Sequence, residues 1–132
     1  MIDELKTLII AQLKSVFPGY KVYDEDVQQG LIAPAFILRT LTSDQERKLG
    51  INLERTYPFV ITFFPLDERS YHSECDLVNE KFYSNFLYIA ERFHVHNIQS
   101  EKHDRTLIIT FSIKVYLQDV KEDILMANLE VL

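Results

Sequence analysis

Apolar residues recur at helical spacing at the start of the chain. Steps of three and four residues predict a helix over residues 3–16, with one apolar face formed by Ile2, Leu5, Leu8, Ile9, Leu13 and Val16. Asp3 and Glu4 in the first turn and Lys14 in the last turn suit the helix dipole. The pair Pro18-Gly19 ends the helix. Because a helix this short is marginal alone, we expect it to pack on the rest of the chain.

Three segments in the first half favour strands, at residues 21–26, 34–41 and 55–64. The third, RTYPFVITFF, is apolar at successive positions, which predicts that both of its faces are covered. Pro58 lies within it and cannot donate a ladder hydrogen bond, so its early part is expected at a sheet edge or a bulge. Residues 42–53, TSDQERKLGINL, lack strand alternation and are predicted to form a polar loop or arm.

The second half predicts one helix and two strands. The helix is expected to begin near Ser70 or Ser73, with Ser73 and Asp76 as a capping box, and to end near Ala90. Its apolar stripe is Cys75, Val78, Phe82, Phe86 and Ile89. A weak strand at 93–99 and a turn at 100–105 precede a strong strand at 106–117. That strand places on one face Leu107, Ile109, Phe111, Ile113, Val115 and Leu117, and on the other Thr106, Thr110, Ser112 and Lys114.

The predicted order of elements is α-β-β-β-α-β-β. Runs of strands without regular βαβ alternation indicate an α+β fold, with a largely antiparallel or mixed sheet of four to five strands and two helices on one face. The length of 132 residues suits a single domain over residues 1–132. No internal repeat of solenoid or propeller period is present in the sequence.

Composition narrows the classes of function. Apolar residues make up 47% of the chain, which supports a real core and argues against disorder. The net charge of −6, without a basic cluster, disfavours nucleic-acid binding. A single cysteine, Cys75, fits a reducing compartment. Neither a secretory signal nor a membrane span is indicated, so we expect synthesis in the cytoplasm and no membrane association.

A few side chains could carry chemistry. His72, Cys75, His94 and His96 could be imagined as a zinc site, but their spacing matches no standard zinc signature. Cys75 could pair with His94 or His103 in a hydrolase, since a helix N-terminus can lower a thiol pKa. The simpler interpretation is that the histidines are on the surface and the thiol is buried on its helix stripe. No serine-elbow, P-loop or dinucleotide motif occurs in the sequence.

Acidic and aromatic groups allow two interpretations each. The acid runs at 24–26 and 119–123 could bind a hard cation, but solvated turns or strand ends are commoner. The aromatic group Tyr57, Phe59, Phe63 and Phe64 could be a ligand box. At strand spacing it is more often core, with one face reserved for a partner.

Several blocks of the sequence resemble the small tail terminator proteins of PBSX-like prophages. These blocks are FPGYKVYDEDVQQGLIAPAFIL at 17–38, RTYPFVITFFP at 55–65 and ECDLVNEKFY at 74–83, in the same order and with similar spacing. The most specific is the acid-rich YDEDVQQG followed by PAF, because core patterning alone would not require it.

The resemblance implies a structural role in the virion tail, with assembly in the host cytoplasm. Proteins of this kind form a ring, commonly a hexamer, on the end of the tail tube, where the ring stops tube polymerisation and offers a surface for the head. The implied partners are other copies of the chain, the tail tube protein and the head–tail connector protein; no catalytic residue or cofactor is implied.

A ring needs contacts with an apolar centre and a polar rim. Our candidates are the apolar strand for the centre, the loop at 42–53 for reaching a neighbour or the tube, and the acidic turn for a basic partner. The residues are Asp24, Glu25, Asp26, Asp44, Glu46, Arg47, Lys48, Tyr57, Phe59 and Phe64. Two alternatives stay open: a small hydrolase or metal-binding enzyme using Cys75 and nearby histidines, and a host adaptor domain.

Overall fold

Two helices pack against one face of a mixed β-sheet in the computed structural model of the chain, which describes residues 2–25, 30–41, 44–47 and 53–116. The elements are α1 (Ile2–Val16), β1 (Lys21–Asp24), β2 (Ala35–Thr40), β3 (Asp44–Arg47), β4 (Leu53–Phe64), a 3₁₀ turn (Glu68–Ser70), α2 (Tyr71–Asn85), β5 (Tyr88–Ile89), β6 (Phe93–His103) and β7 (Thr106–Tyr116). The α+β prediction with two helices on one face is confirmed.

The sheet has the strand order β1-β2-β4-β7-β6-β5, with β3 also paired to β4. β1 and β2 are parallel, and the other pairs are antiparallel. β4 and β7 form the longest ladder, from Glu54 opposite Tyr116 to Phe63 opposite Leu107. The described strands outnumber the four to five that we predicted, because β3 and β5 are short and lack a hydrophobic pattern of their own.

The core lies between the helices and one face of the sheet, and it follows the predicted periodicities. On β7 the side chains of Leu107, Ile109, Phe111, Ile113 and Val115 are buried, and the intervening ones are half-buried. The α2 stripe, continued to Ile89 on β5, is buried as predicted. Within the core, the Phe82 ring stacks on the Phe86 ring with centroids 4.2 Å apart and contacts the Phe111 ring with centroids 5.7 Å apart.

The prediction of a polar loop over residues 42–53 is wrong for its middle. Residues 44–47 form β3, which pairs with β4 from Asp44 opposite Thr56 to Arg47 opposite Leu53. β4 begins two residues before the predicted strand and extends beyond the end of β2. The edge of β4 that faces away from β7 is therefore open over its first residues, and β3 pairs there. Backbone pairing has overridden the weak strand propensity of Asp-Gln-Glu-Arg.

The predicted start of α2 near Ser70 is confirmed, because Ser70 is the residue that precedes the helix, but the predicted capping box of Ser73 and Asp76 is wrong. Ser73 lies inside the helix, and the segment before it is stabilised differently: Asp67 accepts a hydrogen bond from the Arg69 N–H at 2.9 Å. The Glu74 carboxylate reaches back to the N–H groups of Leu66 and Asp67, both at 2.9 Å. The helix ends at Asn85 rather than near Ala90, since the chain turns there into β5.

The strand before β7 is longer than predicted, and the turn is shorter. β6 continues to His103, and only Asp104 and Arg105 make the turn, both with positive φ (49° and 62°). Two successive residues of this kind match the tight turns that suit the twist of a hairpin. The register of β6 on β7 shifts between His96 and Gln99, where Asn97 has φ 55°, so β6 contains a bulge.

Pro58 lies on an internal strand, not at an edge. Its carbonyl accepts a hydrogen bond from the Leu41 N–H at 3.1 Å, just beyond the point where β2 ends. Because the N and O of one strand residue point to the same side, its missing N–H also faces that side and not β7. The proline therefore lies where the outer partner of β4 changes from β2 to β3, and the ladder with β7 loses no bond.

Candidate assembly interface

The predicted apolar centre divides between the two faces of β4. Tyr57 and Phe59 point into the helix-covered core, where they are 6% and 0% exposed. They stabilise the subunit and present no surface to a partner. Phe64 lies on the opposite face, half-buried, next to Ala35 of β2. The strand is thus fully covered on one face only, which corrects the prediction of two covered faces.

The second face of the sheet carries a mixed strip. Val60 and Phe64 of β4 and Ile108 of β7 are half-buried there, beside Thr62 and Thr110. In the ranges that the structure describes, both helices pack on the other face. A half-exposed strip of apolar and threonine side chains has the composition of a non-obligate protein interface.

The acidic turn after β1 is held by a lysine of α1. The Lys6 Nζ lies 2.6 Å from Asp24 and 2.7 Å from Glu25, and its side chain is only 13% exposed. The hydrogen bonds to these two carboxylates raise the pKa of Lys6. One cation against two carboxylates leaves a net negative charge at the turn. Asp26, the third predicted member, lies outside the described residues.

The residues predicted for the arm lie partly on β3. Asp44, Glu46 and Arg47 belong to this strand, whereas Lys48 lies outside the described residues. Since β3 pairs with the first residues of β4, these positions lie at the side of the sheet beyond the end of β2. Among the described residues, the structure thus places the predicted interface side chains in separate groups: Asp24 and Glu25 at the acidic turn, the three residues on β3, and the aromatic residues on the two faces of β4.

A polar contact that the sequence did not indicate ties α1 to the end of α2. The Gln12 amide donates to the carbonyls of Asn85 and Tyr88, and its oxygen accepts from the Ala90 N–H, each at 2.9 Å. The three partner groups belong to the last residue of α2, to β5 and to the residue after β5, all more than 70 residues from Gln12 in the chain. Beside this contact Leu87 and Tyr88 are more than half exposed. A single glutamine on a helix carries no signal that predicts such a role.

The side chains considered for catalysis are not gathered. Cys75 is fully buried, and burial raises the pKa of its thiol, which disfavours the nucleophilic thiolate. His72 contacts Lys102 at 3.2 Å, and His103 lies beside Asp104 at the exposed hairpin turn. Among the described residues, no three His, Cys, Asp or Glu side chains are placed to hold a metal ion.

The remaining two histidines contact each other on β6. Nδ1 of His94 lies 3.2 Å from Nε2 of His96, and the rings meet edge to face. Burial lowers the pKa of His96, and the neighbouring His94 and Lys114 lower it further. The pair is therefore favoured in a form with at least one neutral ring at neutral pH, and two ligands alone fall short of a structural zinc site.

Comparison with known proteins identifies the family of the chain. Neither helix in the described ranges has the length and apolarity needed to cross a membrane. A search of curated proteins found no match to the chain. The family model described as phage tail terminator protein matches residues 4–124, which includes nearly all of α1 and every other element described above. The chain belongs to the phage tail terminator protein family.

Proposed function

We propose that the chain forms a homo-oligomeric ring on the end of the phage tail tube, where it stops tube polymerisation and provides the surface for head joining. The observation that carries this proposal is the family match over residues 4–124. Because the match covers most of the chain, we assign this role to the whole fold and not to one segment of it. A hexamer is the stoichiometry that we expect.

The subunit offers surfaces suited to such a role. The strip around Val60, Phe64 and Ile108 gives an apolar centre, and the acidic turn at Asp24 and Glu25 gives charge for a basic partner. We propose the strip for contact with the tail tube protein and Glu25, beyond the end of β1 in the acidic turn, for contact with the head–tail connector protein. Both partners are met in the cytoplasm of the host, and the ring stays in the virion tail.

A role without catalysis accords with the described geometry. The buried Cys75 thiol has no histidine within hydrogen-bonding distance in the described residues, so the hydrolase alternative has no observation in its favour. The host adaptor alternative is disfavoured by the family to which the chain belongs.

Deleting the gene from its phage or prophage tests the proposal directly. We expect tails of uncontrolled length without heads in electron micrographs of the induced lysate, and normal tails when the gene is supplied in trans. Tails of normal length that join heads in the deletion strain would refute the role.

Two variants extend the test to the surfaces. Val60→Lys should reduce tail termination while the subunit stays folded, since it places a charge in the half-buried strip. Ser112→Lys is the control, since it introduces the same charge on the same face, farther along β7 and outside the strip. Equal complementation by both variants would remove the strip from the interface.

A further inference from the structure

The outer edge of β6 is largely unpaired. β5 covers only Phe93 and His94, and the Val95 N–H then donates to the Leu87 carbonyl at 3.0 Å. From His96 to His103, no strand in the described ranges pairs with the side of β6 that faces away from β7. A row of free backbone donors and acceptors is what an added strand recognises.

The register identifies which groups are free. His103 and Thr106 flank the two-residue turn, so their backbone groups exchange hydrogen bonds with each other. Along the rest of the ladder, every second residue of β6 likewise exchanges hydrogen bonds with its partner on β7. Glu101 therefore faces β7, whereas the N–H and C=O groups of Ser100 and Lys102 face away from it. Farther along, the outward Ile98 carbonyl accepts a hydrogen bond from the Tyr83 hydroxyl at 3.3 Å, which agrees with this alternation.

The opposite end of the sheet has a matching free edge. In β1 the Lys21 N–H donates to the Pro34 carbonyl at 3.1 Å, and the Glu25 N–H donates to the Leu38 carbonyl at 2.8 Å. Alternation then leaves the N–H and C=O groups of Val22 and Asp24 facing away from β2. No strand of the described part pairs with this side of β1.

We propose that the outer edge of β6 binds the outer edge of β1 from a second copy of the chain. The inference rests on the proposed ring and names its subunit contact. β1 runs antiparallel to β6 within the subunit, so continuing the sheet into the next copy makes an antiparallel pair. The free groups match when Val22 lies opposite Lys102 and Asp24 lies opposite Ser100.

Charges on both faces of the sheet agree with this register. Asp24 and Lys102 are on the helix-covered face, as their contacts with Lys6 and Asp76 show, and they become diagonal neighbours across the contact. Lys21 and Glu101 become diagonal neighbours on the other face. Diagonal cross-strand pairs are within reach of long side chains, and opposite charges there are favourable.

The complementary edges belong to the same chain, which is why a second copy is the occupant that we favour over another protein. A contact between two different patches is heterologous, and repeated copies close into a ring when the rotation between them allows it. Both edges also lie at opposite ends of one sheet, so each copy can pair with two neighbours.

Proline substitutions test the contact, because proline removes an N–H that the subunit does not use. Ser100→Pro and Val22→Pro each delete one outward donor, and we expect self-association about tenfold weaker for each, as one lost hydrogen bond implies. Ser100→Ala and Val22→Ala keep the N–H and are the matched controls. Thermal melts establish that each variant is folded, and sedimentation measures association.

Mixing the two proline variants gives the sharper result. A Ser100→Pro copy keeps a competent β1 edge and a Val22→Pro copy keeps a competent β6 edge. At concentrations between the dissociation constants of the parent contact and the weakened contact, the mixture should therefore form mainly one-to-one dimers, whereas each variant alone stays monomeric. Proline variants that associate like the parent protein, or a mixture that stays monomeric, would overturn the proposed contact.

Tail assays separate this inference from the proposed function. A parent protein that is monomeric at its highest soluble concentration but still terminates tails contradicts the self-pairing and leaves the function intact. If Ser100→Pro then fails to terminate tails, the edge binds a strand of another tail protein, and a second copy is not the occupant. Normal tails in the gene deletion refute the function, whatever the sedimentation results.

Discussion

Replacing Gln12 tests how the two helices are joined. The Gln12 side chain makes three hydrogen bonds of 2.9 Å, two donated to the Asn85 and Tyr88 carbonyls and one accepted from the Ala90 N–H. Each neutral hydrogen bond contributes about 0.5–1.5 kcal/mol net. Gln12 is half-buried, so water can reach some of the freed groups, and we expect Gln12→Ala to lower the free energy of unfolding by about 2 kcal/mol.

Gln12→Glu is the more discriminating variant. The introduced carboxylate has the same size but cannot donate to the two carbonyls, so we expect a larger loss than with alanine at neutral pH. Protonation restores one donor, which raises the pKa of that carboxyl in the folded state. The deficit of Gln12→Glu relative to the parent protein should therefore shrink as the pH falls through that pKa.

Urea denaturation followed by circular dichroism measures these changes, and Lys14→Ala is the control. Lys14 is exposed on the same helix, so its replacement should change the free energy of unfolding by less than about 0.5 kcal/mol. If Gln12→Ala and Lys14→Ala are equally stable, or if the Gln12→Glu deficit does not depend on pH, the contact does not stabilise the subunit.

Three other outcomes are expected. Phe82→Ala and Phe111→Ala should each lower the free energy of unfolding by about 3–5 kcal/mol in denaturant melts, because both rings are buried and in contact; a loss near zero for either would contradict the core assignment. Since burial lowers the pKa of His96, stability should fall as the pH drops through its usual value of about 6.5, and His96→Gln should reduce that loss in melts at pH 7 and pH 5; an unchanged pH profile would exclude His96 as the source. Elemental analysis of the purified protein should find no stoichiometric zinc, and about one zinc per chain would show that the histidines and Cys75 assemble a site.

The sequence predicts the elements whose side chains alternate between core and solvent. α1 and β7 have strict periodicities. Leu5, Ile9 and Leu13 of α1 and the alternate residues from Leu107 to Val115 of β7 are buried, the other predicted residues of the α1 face are half-buried, and Leu117 lies outside the described residues. β3 and β5 lack any such signal, because their positions depend on backbone pairing with β4 and β6. No property of the isolated segments specifies those partners.

The predicted apolar centre lies on two faces of β4 for a related reason. Tyr57, Phe59 and Phe64 are all aromatic on one strand, but the two-residue period separates Phe64 from the other two. Hydrophobicity alone could not tell which face the helices would cover. The Gln12 contact was equally beyond prediction, since its three partners lie more than 70 residues away in the chain.

In the described part of the chain the outer edge of β6 is largely unpaired, and its residues show how such an edge can avoid aggregation. Its bulge at Asn97 twists the edge, and Glu101, Lys102 and His103 place charged or titratable side chains along its open half. Bulges and charges discourage indiscriminate pairing of exposed strands. The same charges favour a partner whose own charges are opposite in the correct register, so a register slip or a wrong strand is penalised. Reversing the pattern with Glu101→Lys should therefore weaken pairing with the parent β1 edge, and Lys21→Glu in the same chain should restore it. Sedimentation of the single and double variants would measure this recovery. If the double variant loses as much free energy of self-association as the two single variants together, the two side chains do not contact each other.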